Sequence, residues 1–103
     1  MNLTEYTKQM NNFEAIKNTS LGQLCAFFLV HSYLYYNVNM SLLDDAVFDY
    51  LCRRLYENFE QFEHMHKHLL DKEALQAGTG FYLKTKDYPR IVRSIAGQLI
   101  GGE

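Results

Sequence analysis

The chain has no tryptophan, a single proline and only two cysteines in 103 residues. Pro is confined to position 89, and most Gly lie at 78–80 and 97–102. No stretch therefore has the composition of a linker, and neither a repeat nor a low-complexity segment interrupts the chain. The length is that of one domain, 1–103, which buries a single core with little stability in reserve. Cys25 and Cys52 each sit inside an apolar helical pattern with no CxxC spacing. That removes the common zinc and redox motifs. Buried reduced thiols are the default, and a disulfide between the two is not indicated.

Long hydrophobic runs are missing too. The longest, LCAFFLV at 24–30, falls far short of a membrane span of about 20 residues. The opening MNLTEYTKQM has no apolar core of a signal peptide. These absences lead to the expectation of a soluble, cytoplasmic protein with no membrane partner. A formal net charge of −2 gives the whole chain no electrostatic reason to seek nucleic acid. The charge is uneven, however. Residues 1–77 hold six Lys/Arg against ten Asp/Glu, and residues 78–103 hold four against two. Lys84, Lys86, Arg90 and Arg93 make a small basic footprint that reads as a solvated face before it reads as a phosphate site.

What the chain does have is rings: eight Tyr and seven Phe. Tyr in that number suits half-buried surfaces whose polar tips stay wet. The apolar periodicity is helical, and the expected fold is mainly α, with four to five helices around a central helical hairpin. A weak first helix covers 4–17, with Tyr6, Met10, Phe13 and Ile16 or Lys17 on one stripe. Ser20-Leu21-Gly22-Gln23 is a capping box opening a second helix that runs to about Asn37. Leu21, Leu24, Cys25, Phe28 and Leu29 form its stripe, and Phe27, Val30 and Leu34 make it apolar on other faces, as expected of a central helix. Asn37–Met40 is the turn. Ser41 caps a third helix, which reaches about His68 or breaks near it and resumes as HLLDKEALQAG, with Gly78 as its stop. Phe81-Tyr82-Leu83 is β-prone, so 81–84 is expected to be a short extended segment. Asp87 caps a last helix carrying Ile91, Val92, Ile95, Leu99 and Ile100 on its apolar face.

The hairpin holds the densest chemistry, HSYLYYNVNMSLLDDAVFDYL at 31–51. Asp44 is accounted for by capping. Asp45, Phe48 and Asp49 stand at i, i+3 and i+4 and share a helix face. The two carboxylates oppose each other by a few tenths of a kcal/mol, partly offset by the positive helix end. An antiparallel hairpin brings Tyr33, Tyr35 and Tyr36 beside them. Ring faces next to two carboxylates suit a flat cation and do not suit a phosphate. Ordinary packing accounts for the same residues: acids are favoured early in a helix, and Tyr packs well at a helical seam.

The run HSYLYYNVNMSLLDDAVFDYLCRRL resembles the N-terminal helical domain of bacterial NAD-dependent DNA ligases, with its H-x-x-Y-Y and D-A-x-Y-D-x-L-x-x-x-L pattern in the same spacing. The resemblance covers about residues 24–60. It implies a module that holds the nicotinamide mononucleotide half of NAD, with the family's Tyr, Asp and Asp positions falling on Tyr35, Asp45 and Asp49. Two positions depart from the family. Its His is Tyr36 here, which stacks but cannot carry an imidazolium charge. Its second Tyr is Phe48, which keeps a ring and loses the hydroxyl. No K-x-D-G motif follows, since Lys84-Thr85-Lys86-Asp87 lacks the Gly. The chain is therefore expected not to be an enzyme. It is expected to need no cofactor, with nicotinamide mononucleotide or NAD as the ligand the resemblance offers. The alternative keeps the hairpin as scaffold for a protein partner or a homodimer, as would suit a small viral or mobile-element protein acting on a host factor.

Two further features carry chemistry. His64, His66 and His68 in EHMHKHLLD would place His64 and His68 on one helix face, with Glu60 and Asp71 near. A metal site there would need a third ligand and a supporting shell, so a solvated polar face is the expectation. His31, inside the apolar second helix, reads as a core or seam histidine, since no nucleophile is placed to use it. Gly78-Thr79-Gly80 is too short for a phosphate loop and lacks its Lys.

Overall fold

The computed structural model describes residues 3–78 and 83–101. They form six α-helices and no strand: α1 (Leu3–Met10), α2 (Phe13–Asn18), α3 (Leu21–Tyr33), α4 (Asp45–Glu57), α5 (Lys72–Ala77) and α6 (Arg90–Gly101). The expectation of a mainly α single globule holds, with more helices than the four to five foreseen. Part of the expected extended segment, at 81–82, lies outside the described residues, and Leu83 and Lys84 are not in a strand.

The expected first helix is two helices, and Asn12 is the reason. Its Oδ1 accepts the Ala15 N–H at 2.7 Å and caps α2, while its Nδ2 donates to the Gln9 carbonyl at 2.8 Å and closes α1. An Asn side chain that bonds backbone on both sides competes with a continuous helical ladder. Met10 and Ile16 reach the core, but Phe13 is 53% exposed.

Ser20 caps α3 as its sequence foretold, its Oγ accepting the Gln23 N–H. Leu24, Cys25 and every residue from 27 to 32 are buried, so α3 is the central helix, touching α4 and α6. Among its partners, Tyr88 is notable. It is 2% exposed, and its hydroxyl lies 2.9 Å from the Ser32 Oγ, tying the approach to α6 onto α3. Two buried hydroxyls that satisfy each other avoid the 1–3 kcal/mol or so that either would cost alone.

The hairpin is antiparallel. Tyr35, just past α3, meets Phe48 near the start of α4. Near the start of α3, a Cβ on Gly22 would lie 3.9 Å from the Glu63 carbonyl oxygen, beyond the end of α4. In α4, Val47, Phe48, Leu51, Cys52 and Leu55 are buried, while Asp45, Asp49, Arg53 and Glu57 face solvent. This is the amphipathic division its spacing required. Cys25 and Cys52 are free and fully buried.

α4 ends at Glu57, well before His68. The Asn58 side chain donates to the Arg54 carbonyl at 2.9 Å, and Phe62 is extended. The chain then turns through two short 3-10 segments, Phe59–Gln61 and Lys67–Leu69. Lys67 pins this corner. Its Nζ donates to the Phe62 carbonyl at 2.8 Å and lies 4.8 Å from the centroids of both the Phe59 and Phe62 rings. α5 packs on α4 and stops at Gly78, whose φ of +75° is the left-handed conformation that ends helices.

α6 begins at Arg90, later than Asp87 suggested. The Asp87 carboxylate instead accepts the Lys84 N–H at 2.9 Å within a 3-10 turn, and the Pro89 carbonyl accepts the first helical N–H groups. The apolar face is shifted from the one expected. Val92 and Ala96 are buried, Ile95 and Leu99 half-buried, and Ile91 is 58% exposed. Lys84, Lys86, Arg90 and Arg93 are all exposed, in keeping with a solvated face. No helix among the described residues is long and apolar enough to cross a membrane.

Candidate functional site

The turn between α3 and α4 is not a plain loop. α3 continues into one wide π-type turn, Leu34–Val38, which ends at Asn39 with φ +64°. The Asn39 and Met40 N–H groups both return to the Leu34 carbonyl. A turn closed i to i+5 holds more residues, so neighbouring side chains are separated by a smaller angle than in an α-helix. Consecutive side chains on an α-helix do not face each other. Here Tyr35 and Tyr36 stack, with centroids 4.7 Å apart and planes at 14°.

Ser41 does not cap α4. Its hydroxyl donates to the Leu43 carbonyl at 2.9 Å, and Leu43 is buried, so 41–44 is a separate turn. The N-cap position falls on Asp44, whose N–H donates to the Asn11 Oδ1 at 2.9 Å. The Asp44 side chain accepts no helical N–H, which corrects the capping role its sequence suggested. Asp45 is thereby the first residue of α4, and Asp49 follows one turn on.

All five residues singled out in the sequence meet at one place. Tyr35, Tyr36, Asp45, Phe48 and Asp49 line a single open concavity of about 300 Å³, together with Gly78. They do not contribute equally. Tyr35 is 40% exposed and Asp45 and Asp49 face solvent. Phe48 is 6% exposed and stacked on Phe28 at 5.8 Å, so most of its ring belongs to the core. Tyr35 meets it edge-on at 6.3 Å.

Gly78 is the member that periodicity could not flag. It was legible as a helix stop but not as a wall. A Cβ at this position would lie 2.6 Å from the Asp49 Oδ1, so the carboxylate rests against bare backbone. On the other side, Arg53 reaches Asp49 at 3.6 Å across an exposed i, i+4 pair. Beyond Asp49 a second hollow of about 260 Å³ opens between α4 and α5, bordered by Arg53, Tyr56, Glu57 and Leu75.

The histidines go elsewhere. His64, His66 and His68 lie on the corner after α4 rather than on one α-helix: the His64 Nδ1 accepts the His66 N–H at 3.1 Å, and His68 falls in the 3-10 segment Lys67–Leu69. Their rings are 5.6 and 6.4 Å apart in sequence order, and no cluster of metal-ligating side chains forms among the described residues. Burial lowers the pKa of His66, and its two histidine neighbours lower it further. His31 is 4% exposed, and burial lowers its pKa to about 4. Burial also raises Cys25 to about 11 and Cys52 to about 12, so neither thiol is a ready nucleophile at neutral pH.

These features define a small helical protein with an aromatic and acidic concavity at the tip of its central hairpin. The concavity presents ring faces, two carboxylates and a backbone wall. No family model, curated protein or solved structure matches the chain.

Proposed function

We propose that the protein is a non-catalytic binding module for nicotinamide mononucleotide, or for that half of NAD. One observation carries the reading: Tyr35, Tyr36, Asp45, Phe48 and Asp49 converge on a single concavity of about 300 Å³. A pyridinium ring is flat and positively charged. The exposed Tyr35 ring offers it stacking, and Asp45 and Asp49 offer it opposite charge. A volume of this size is at the lower end for small-molecule sites and suits a single ring and its sugar.

A competing reading draws on Phe48. Its ring is spent on Phe28, so the position that departs from the ligase pattern works mainly as core. On that view the hairpin is a scaffold, and the function lies with a protein partner or a second copy of the chain.

An amide NMR titration with nicotinamide mononucleotide, with AMP as control, separates the two. The binding reading expects shifts at 35–49 and at Gly78 with the mononucleotide alone, lost in Asp45→Ala. Silence at millimolar ligand, which means binding weaker than about −4 kcal/mol, leaves the scaffold reading.

A further inference from the structure

Space also opens outside the hairpin-tip concavity, and its lining decides what it can recognise. On the α1/α6 flank of α3 lies a hollow of about 200 Å³, walled by Tyr6, Phe27, Val30, His31, Ile95 and Leu99 among others. None of its lining residues is an acid, a Lys or an Arg, and His31 is 4% exposed. That hollow holds no charge by which one ligand could be told from another.

The hollow of about 260 Å³ between α4 and α5 does. Asp49 lines both it and the concavity, so the two spaces adjoin. Among the described residues, the concavity is lined by two carboxylates and no cation, and the adjoining hollow brings in Arg53. Asp49 and Arg53 are one turn apart on α4, a rise of about 6 Å, which is the scale of one sugar ring. Glu57 stands a further turn on and opposes an anion carried that far. The spacing suits a ligand whose negative group lies one short step from its positive ring.

Arg53 is held loosely enough to serve. Its side chain is 60% exposed and lies 3.6 Å from the Asp49 carboxylate, longer than an ordinary hydrogen bond and screened by water. A pyridinium ring beside Asp45 and Asp49 would give Asp49 the positive partner that Arg53 otherwise supplies. The guanidinium is then released to a phosphate, whose oxygens match its fork of donors. The charges exchange partners and none is left alone.

We propose that the two hollows form one site, in which Arg53 binds the phosphate of a mononucleotide whose pyridinium ring occupies the concavity. This rests on the reading of the concavity as a pyridinium site, and it adds the group that tells the nucleotide from its nucleoside.

The test sets nicotinamide mononucleotide beside nicotinamide riboside, the same cation without its phosphate. Binding to the wild-type chain and to Arg53→Ala is followed by amide NMR and by the phosphorus resonance of the mononucleotide. Arg53 lies on the solvent face of α4, so the variant should keep the fold. Both ligands should shift 35–49 and Gly78, and the mononucleotide alone should also shift 53–57 and 75–76. In the wild type the mononucleotide should bind about fivefold tighter than the riboside, the gain expected of a well-formed but exposed charge pair. Arg53→Ala should weaken the mononucleotide about fivefold and tighten the riboside about twofold, and the phosphorus shift should be lost. Equal affinity for the two ligands, or a preference that survives Arg53→Ala, overturns the proposal and leaves the pyridinium reading standing. Silence with both ligands at millimolar concentration overturns the two together.

Discussion

Two hollows flank the central helix and are opposites in how they treat charge. At the hairpin tip, Asp45 and Asp49 stay in solvent, and the space between them and Tyr35 is open. On the α1/α6 flank, a titratable ring is taken out of water with no hydrogen-bond partner among the described residues. His31 stands between the two regions. Besides the apolar hollow, it borders a narrow gap shared with Tyr35, Asp45 and Phe48. A site that keeps its charges wet can select a charged ligand at little cost to folding. A site that buries a titratable group is coupled to folding through its protonation.

The largest expected effect follows from that coupling. His31 has a folded pKa of about 4, against 6.5 in the unfolded chain. Between those values the unfolded state holds the proton and the folded state does not, so stability rises with pH. The contribution is complete above about pH 6.5 and is lost as pH falls toward 4, amounting to roughly 3 kcal/mol. Tyr6, Tyr35 and Asp45 are the other titratable side chains bordering the spaces around His31. Urea unfolding between pH 4 and 7 should show this slope, and His31→Phe should flatten it while leaving the neutral-pH stability unchanged or higher. His66, also lowered, contributes a slope of the same sign that the variant leaves in place. An undiminished slope in His31→Phe would mean that the apolar flank does not store the energy assigned to it.

Gly78 tests the other hollow and comes next in size. Two costs fall on Gly78→Ala. A non-glycine residue at φ +75° is strained, and the new Cβ would meet the Asp49 carboxylate. Together these should destabilise by about 1–3 kcal/mol. The Asp49 side chain can swing away, so the variant should fold, with the hairpin-tip concavity reshaped and the His31 hollow untouched. A thermal melt gives the stability. Unchanged amide shifts at 23–31 with altered ones at 45–53 would show that the two hollows are independent.

The contrast between the hollows was only half legible in the sequence. Helical spacing put Asp45, Phe48 and Asp49 on one face, and the hairpin brought Tyr35 and Tyr36 to them, because both follow from regular geometry, whereas Tyr33, expected beside them, packs its ring on Tyr88 instead. The Ser20 cap and the Gly78 stop were legible for the same reason. What failed was local competition for backbone. Asn12 split a helix, Ser41 bonded the Leu43 carbonyl instead of capping, and His64 closed a corner where a helix was expected. Each is a side chain whose hydrogen-bonding choice depends on what packs around it. The face of α6 was misplaced in part, at Ile91 and Ile100, because six apolar residues in twelve positions allow more than one orientation. Contact with α3 selected Val92 and Ala96. The apolar hollow was not legible at all, since it is formed by helices far apart in sequence.

The smallest expected effect sharpens the electrostatic half of the contrast. Arg53 and Asp49 are both 60% exposed and 3.6 Å apart, so their pairing is screened by water. Exposed i, i+4 pairs contribute about 0.3–0.5 kcal/mol, and Arg53→Ala should shift the unfolding midpoint by no more than that. Its consequence for binding has the opposite sign. Arg53 occupies one side of the Asp49 carboxylate and repels a cation entering the concavity. The cleanest probe is 1-methylnicotinamide, methylated on the ring nitrogen, a flat cation with no phosphate for the guanidinium to attract. Removal of Arg53 should tighten it by roughly twofold, which is about 0.4 kcal/mol, while Asp49→Asn should weaken it. The variant would then be marginally less stable and bind the cation marginally better. That pairing is the signature of a charge held at the surface for a ligand rather than for the fold. If Arg53→Ala loses stability and leaves the cation's affinity unmoved, Asp49 serves the helix, and the hairpin-tip concavity loses half of its claim on a positively charged ring.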